Sequence, residues 1–368
     1  MTEENFNAII NDITDEYGFE GTLLGAAPLG KGNINRTIKV DFLDSGVHKS
    51  YVYQRINDYV FKKPGDIMKN LKIVSDYIDK TFGADSEEAK MVLSFENTKN
   101  GKNYVKNADG YWRVSKFIEG ETYDTVSDSR VLYNTGMAFG NFQNILSGLD
   151  TSLLSDTIPD FHNTKKRIEA FFEVVEKDEN GRCDECKQEI AFVEKHRNDF
   201  SRLVELHECG VLPFRVTHND TKFNNILIDS STGKPVCVLD LDTVMPGLVG
   251  YDFGDAIRAN TNFTREDDPD LSKVGINLEY YEQFSKGFIS ATKNFLTVSE
   301  KDSLALSAMT MTFELVVRFL HDYIDGDKYF RIAHEKHNIE RTRCQKRLCE
   351  DMMANYDKMC GIVDKYYN

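Results

Sequence analysis

The early part of the chain is patterned for strands. Thr22–Leu29, Thr37–Phe42 and Tyr51–Ile56 read as strands, with Gly30-Lys-Gly-Asn-Ile-Asn-Arg36 between the first two. Met91–Phe95 and Tyr111–Ile118 follow, the second preceded by Asp109-Gly110, a dipeptide suited to a tight hairpin turn. One helix interrupts the series: Ile67, Leu71, Val74 and Ile78 recur at helical spacing after Pro64-Gly65, with Asp66 as the expected N-cap.

From residue 119 onward the period changes. Val131–Leu146 places Leu132, Thr135, Phe139, Phe142 and Leu146 on one helical face. Helical patterns recur over Thr164–Val175, Gln188–Leu206, Glu279–Lys293, Glu300–Tyr323 and Glu340–Lys365. Between them lies a hairpin: Phe223–Ile228, the turn cluster Asp229-Ser-Ser-Thr-Gly233, then the apolar run Val236–Leu239 ending at Asp240. No repeat or low-complexity tract is visible. At 368 residues the chain exceeds the usual single-domain size. Sheet first and helices after predict an α+β fold of two lobes, 1–117 and 118–368, with a ligand cleft between them.

Composition narrows the function classes. A formal net charge of −15 lacks the Lys/Arg footprint by which proteins neutralise nucleic-acid phosphates, and it disfavours an anionic membrane surface. The start Met1-Thr-Glu-Glu-Asn-Phe6 is acidic and has neither region of a signal peptide. The longest apolar runs are cut by charges such as Arg318, so no membrane span is expected. An odd cysteine count of 7 without framework spacing fits a reducing cytoplasm. Cys183-Asp-Glu-Cys186 has no second Cys or His pair nearby, so solvated helix-start thiols are expected there in preference to a zinc or redox site.

The chemistry concentrates in Val216-Thr-His-Asn-Asp-Thr-Lys-Phe-Asn-Asn-Ile-Leu227 and Val236-Cys-Val-Leu-Asp-Leu-Asp242. Asp220 stands two residues after His218 and five before Asn225, and the hairpin would bring Asp240 to the same edge. Phosphoryl transfer from ATP needs such a set: one carboxylate to take the acceptor's proton, and an amide plus a second carboxylate to hold the metal.

These residues resemble the protein-kinase-like fold of the aminoglycoside and choline kinase superfamily. The longer strings Leu239-Asp-Leu-Asp-Thr-Val-Met-Pro-Gly247, Tyr251-Asp-Phe-Gly-Asp-Ala-Ile-Arg258 and Arg318-Phe-Leu-His-Asp-Tyr-Ile-Asp-Gly-Asp327 look most like the N-acetylhexosamine 1-kinases. The resemblance implies transfer from ATP to the anomeric hydroxyl of N-acetylglucosamine or N-acetylgalactosamine. It makes Asp220 the catalytic base, Lys222 a contact to the transferring phosphoryl group, and Asn225 with Asp240 the Mg²⁺ ligands. His218 is expected to hold the loop backbone, and Asp252 to steady the loop. Asp242 is either a further metal or water contact or a solvated carboxylate.

The same resemblance makes Gly30 and Gly32 a phosphate-covering loop and assigns adenine to the backbone of Lys116, Phe117 and Ile118. Asn33 and Asn35 either reach the sugar or belong to a plain turn, and the subfamily's usual His is absent at Asn33. Gln54 falls where kinases carry the ATP-pairing lysine. The helix over 66–78 offers no Glu to match, so both halves of that ion pair are missing together, which leaves no unpaired buried charge. Glu314, Arg318 and Asp322 share a helical face, either as an exposed charge ladder or with Arg318 binding sugar; Arg258 is a similar candidate. Other readings are a kinase of the same fold for choline, homoserine, methylthioribose or an aminoglycoside, and a nucleotide-binding module without turnover.

Overall fold

The computed structural model describes residues 3–30, 35–123 and 129–368. It is a mixed α+β protein with a sheet-rich first lobe and a helical second one. The chain begins with helix α1 (Glu3–Tyr17), which the strand-oriented sequence reading did not include. Its Ile10, Ile13 and Tyr17 lie at helical spacing and pack on Ile38, Val40, Tyr53, Trp112 and Val114. α1 thereby covers the outer face of the sheet, and Thr14 fixes it with a 2.9 Å hydrogen bond to the Tyr53 hydroxyl.

Strands β1 (Thr22–Pro28), β2 (Arg36–Asp44) and β3 (Val47–Ile56) form an antiparallel meander. Ser45 and Gly46, both at positive φ, make the tight turn between β2 and β3. Helix α2 (Pro64–Phe82) starts at Pro64, whose missing N–H costs nothing in a first helical turn. Asp66 is therefore inside the first turn, and Lys63 occupies the cap position expected for it. A single turn, α3 (Glu87–Lys90), follows. Met91–Phe95, expected as a strand, instead makes one parallel bridge, Val92 to Val238, and so ties the two lobes. Strands β4 (Val105–Asn107) and β5 (Gly110–Lys116) complete a five-stranded sheet in the order β1-β2-β3-β5-β4.

After the connecting segment come α4 (Ser129–Ile145), α5 (Thr164–Lys177) and α6 (Lys187–Glu208). Four short strands then carry the motif region: β6 (Arg215–Thr217), β7 (Ile226–Ile228), β8 (Pro235–Val238) and β9 (Met245–Gly247). β7 pairs with β8 and β6 with β9, all antiparallel. The rest is helical: α7 (Val249–Asn260), α8 (Leu278–Thr292), α9 (Val298–Ile324), α10 (His337–Ala354) and α11 (Tyr356–Tyr367). The late pattern read as one helix breaks at Asn355, which serves as both the end of α10 and the start of α11.

Helix α9 is the axis of this lobe. By length and composition it could cross a bilayer, contrary to the sequence expectation, but 89% of its most apolar window is buried in the protein. A capping box from Thr297 and Glu300 starts it, and Arg215 binds both Glu300 oxygens at 2.9 and 3.0 Å. Helices α4 and α8 cross at Gly136 and Gly287. A methyl group at either would run into backbone of the other helix, at Phe284 and Tyr133 respectively.

Candidate active site

The loop after β6 is pinned from behind by the first turn of α7. The buried carboxylate of Asp252 accepts the His218 N–H at 2.9 Å, the Asn219 N–H at 2.7 Å and the Gln143 amide of α4 at 2.5 Å. Burial pushes this carboxyl up, while the two backbone donors and the Gln143 amide oppose that shift. Asn219 can then hold a left-handed φ of 63°, and its side chain donates to the Thr243 carbonyl at 2.9 Å. One residue further, the Thr221 N–H donates to Asp255 at 3.0 Å and its hydroxyl to the Asp252 carbonyl at 2.6 Å.

His218 belongs to the same scaffold. Its Nε2 meets the Leu239 carbonyl at 2.8 Å and its Nδ1 accepts the Asp220 N–H at 3.3 Å, which identifies the neutral Nε2–H tautomer. The ring lies edge-on to Phe139 and Phe142. Imidazole thus joins the loop to the residue before Asp240.

Asp220 emerges from this frame half-buried. Lys222 sits 2.8 Å from its Oδ1, and the Asn225 amide donates to its Oδ2 at 3.1 Å and to its carbonyl at 2.8 Å. Asp220 raises the Lys222 ammonium above its ordinary value, although the lysine side chain keeps 47% exposure. Because the Asn225 nitrogen faces Asp220, its side-chain oxygen is turned elsewhere. The Asn225 carbonyl accepts the Leu239 N–H at 2.8 Å, so the loop is fastened beside Asp240.

Asp240 adopts a left-handed φ of 53°. Among the described residues its carboxylate has no hydrogen bond or ion pair. Burial, with Asp242 and Asp220 adding repulsion, pushes it up to about 6. Among the described residues no group of three or more His, Cys, Asp or Glu side chains could hold a metal ion; the unpartnered Asp240 carboxylate and the Asn225 side-chain oxygen are the hard-oxygen donors a divalent cation such as Mg²⁺ would find here.

Asp242 is not solvated. It is buried, with Oδ2 receiving the Asn35 amide at 2.7 Å and Oδ1 facing the guanidinium of Arg113 on β5. Arg113, which the sequence reading passed over, also donates to Gln54 Oε1 from Nε at 2.8 Å and Nη2 at 2.5 Å. Gln54 and Arg113 are register partners across β3 and β5, a relation that the linear sequence hides. The remaining Gln54 nitrogen lies 3.2 Å from the Thr37 hydroxyl.

The other expected contacts are distributed unevenly. Gly30 turns at φ 75° with open space around it, whereas Gly32 and Asn33 lie outside the described residues. Asn35 reaches Asp242 and the Asn57 N–H, so its amide is committed to protein. The Phe117 N–H donates to the Ser50 carbonyl at 3.0 Å, which engages one of the backbone groups in the segment expected to take adenine. Lys116 ends β5, and after Ile118 the linker joins β7 through paired Glu121–Ile228 backbone bonds. Arg258 is buried, binding Asp255 at 2.8 Å and Glu266 at 3.1 Å, and so braces the loop through Asp255 instead of presenting free donors to a sugar.

The charged stripe on α9 is not an exposed ladder. Glu314 is fully buried and meets His162 at 2.9 Å, Thr164 at 3.2 Å and Arg167 at 3.3 Å. Asp322 receives the Tyr329 and Phe330 N–H groups at 2.7 and 2.9 Å. Between them the Arg318 guanidinium lies 5.4 Å from the centres of both the Phe161 and Phe330 rings, with no ion pair among the described residues. A cavity of about 280 Å³ opens nearby, lined by Asp160, Phe161, His162, Asn219, Met245 and Tyr251 among others. A charged groove of about 430 Å³ between the start of α6 and α10 lies outside this set of residues. Beside it the Cys183 and Cys186 thiols bond backbone carbonyls separately, and burial pushes them up to about 11 and about 12.

The model of the phosphotransferase enzyme family (APH) matches residues 89–282, more than half of the chain and all of the loop just described. The chain belongs to that family. Among solved structures it is similar to a microcompartment-associated aminopropanol kinase (17% identity, TM-score 0.59, 96% of this chain and 98% of that one). It is also similar to a choline kinase from Cryptosporidium parvum Iowa II (12% identity, TM-score 0.62, 98% and 99% coverage). A spectinomycin phosphotransferase in complex with ADP and spectinomycin aligns at 14% identity and TM-score 0.52 over 96% and 98% of the two chains. These likenesses establish the bilobal kinase-like fold.

Proposed function

We propose that this phosphotransferase-family protein transfers the γ-phosphoryl group of ATP to the anomeric C1 hydroxyl of an N-acetylhexosamine, giving ADP and the sugar 1-phosphate. The observation that carries the proposal is the half-buried carboxylate of Asp240, unpartnered among the described residues and set beside Asp220 and Asn225. Asp220 accepts the hydroxyl proton while the sugar oxygen bonds to phosphorus and the bond to the ADP oxygen breaks. Lys222, paired with Asp220 at 2.8 Å, would meet the charge on the transferring group. Asn225 and Asp240 would hold Mg²⁺, which supplies charge neutralisation on the phosphates.

In this reading residues 1–117 cover the nucleotide and 118–368 carry the catalytic loop and sugar site. Gly30 and Gly32 would cover the phosphates, and the Lys116 and Ile118 backbone would take adenine. The preference for a sugar rests on the longer subfamily strings and on Arg318, a cation seated between two phenyl rings with donors left for hydroxyl or acetamido oxygens. A cytoplasmic setting suits the free thiols, all seven of which are unpaired.

The similarity to aminopropanol, choline and ethanolamine kinase structures makes an amino-alcohol acceptor the second reading. One experiment separates the two. Mg-ATP is incubated with a panel of N-acetylglucosamine, N-acetylgalactosamine, choline, ethanolamine and aminopropanol, and product is followed by phosphorus NMR. The proposal expects an anomeric phosphate from a hexosamine; a 6-phosphate, or turnover of the amino alcohols alone, refutes it.

A further inference from the structure

The peptide bond that enters Asp220 is held at both ends by imidazoles. Its N–H donates to His218 Nδ1 at 3.3 Å. Its C=O, on Asn219, lies 3.3 Å from Nε2 of His162, and among the described residues no other donor reaches that carbonyl. Asn219 holds its left-handed φ of 63° between these contacts and the Asp252 carboxylate, so together they fix the direction in which Asp220 leaves the loop.

The two rings face different partners. His218 meets one acceptor and one donor, and is neutral. His162 meets acceptors at both nitrogens: the Asn219 carbonyl at Nε2, and Glu314 Oε1 at Nδ1, 2.9 Å away. Glu314 is not the donor in that pair. Its Oε1 also faces Arg167 Nε at 3.3 Å, and its Oε2 receives the Thr164 hydroxyl at 3.2 Å, the pattern of an ionised carboxylate. Both His162 nitrogens must then carry hydrogen, which makes the ring an imidazolium. Glu314 of α9 is its counter-ion, shared with Arg167 of α5 and within reach of Arg318. Asp255 of α7 is also within electrostatic reach and is itself paired with Arg258. The Tyr251 ring of α7 lies 5.1 Å from the imidazole, and Asp160, on the same segment as His162, is paired with Lys166.

Of the two protons, the one on Nδ1 is held by a carboxylate, and the one on Nε2 by a neutral carbonyl at a longer distance. The Nε2 proton is the one that leaves as pH rises. His162 is buried but lines the cavity of about 280 Å³, through which that proton can exchange with water. Once it has gone, the Asn219 carbonyl faces a nitrogen lone pair and the grip on the peptide fails.

We propose that His162 is a positioning residue for Asp220: its cationic ring, tethered by Glu314, donates from Nε2 to the Asn219 carbonyl and keeps the base in place only while that proton is present. This rests on the phosphoryl-transfer reading above and deepens it by adding an alkaline limit to turnover.

The test measures kcat and KM across pH for wild type, His162→Asn and His162→Gln, with melting curves to confirm folding. His162→Asn places an amide nitrogen near the Nδ1 position and His162→Gln places one near Nε2, so the two variants separate the Glu314 contact from the Asn219 contact. His162→Asn is expected to lower kcat at pH 7 by at least about tenfold, with KM for Mg-ATP within about threefold of wild type. His162→Gln should keep kcat within about fivefold and lack the alkaline fall in kcat expected of wild type. If the variants do not fold, nitrogen NMR of histidine-labelled wild type carries the test, and both His162 nitrogens should read as protonated at pH 7. A neutral His162 at a pH where the enzyme turns over overturns the assignment. So do equal kcat losses in the two folded variants, kcat of folded His162→Asn within about twofold of wild type, or an alkaline fall that persists in His162→Gln. Wild type that phosphorylates no acceptor of the panel is a distinct outcome, which sinks the phosphoryl-transfer reading and this positioning role with it.

Discussion

Asp252→Asn isolates the scaffold from the chemistry, because Asp252 touches the loop backbone and not the acceptor. Its Oδ2 receives two donors, from His218 and Gln143, and its Oδ1 one, from Asn219. An asparagine there would keep its oxygen toward the pair and turn its NH2 at the Asn219 N–H. One charge-assisted bond, about 1.5–3 kcal/mol, is lost and a buried N–H is stranded at about 1–3 kcal/mol. Removing a carboxylate that burial disfavours returns part of this, leaving about 2–4 kcal/mol of lost stability. With the left-handed Asn219 released, Asp220 shifts, and a displacement of about 1 Å costs about 10²-fold in kcat. Urea unfolding together with steady-state kinetics reads both effects, and the KM for ATP should change little. A variant with wild-type stability and kcat within about threefold would show that Asp252 does not hold the loop.

Glu314 gives a pH-dependent expectation. Burial pushes its carboxyl up, but His162 and Arg167 override this and hold it below its ordinary 4.5. Its contribution is therefore complete above about pH 4.5 and fades as pH falls through the lower, folded value. Glu314→Gln should cost about 3–5 kcal/mol at pH 7, with the gap to wild type narrowing below about pH 4.5 in denaturant titrations; a gap that widens in acid contradicts the assignment. Gly287→Ala should destabilise by about 1–3 kcal/mol or more through the Tyr133 carbonyl, and a melting temperature equal to wild type would refute the helix contact. Alkylation at pH 8 followed by mass spectrometry should label the exposed Cys209 well ahead of Cys183 and Cys186, and equal rates would deny them the raised values that burial gives.

The loop proposed as catalytic stood out because phosphoryl transfer would demand particular residue types at set offsets, and the hairpin that carries Asp240 follows from an apolar run closed by a turn cluster. Most helices were legible from period alone. Features that depend on distant partners were hidden. The α9 stripe was correctly phased, yet Glu314 is buried because His162, Thr164 and Arg167 come from another segment to meet it. Met91–Phe95 has the composition of a strand, but its backbone is spent on a single bridge between lobes. Arg113 looks like any strand arginine until the β3–β5 register sets it against Gln54. Helix α1 was legible in principle, since Phe6, Ile9, Ile10, Ile13 and Tyr17 keep helical spacing.

Asp220→Asn, assayed side by side for Mg-ATP binding and for acceptor phosphorylation, asks whether this carboxylate is the base. The expected result is nucleotide affinity within about threefold of wild type and turnover reduced by at least about 10³-fold, since the acceptor proton then has nowhere to go. Turnover that survives largely intact in the amide variant would remove Asp220 from the reaction and the proposed mechanism with it.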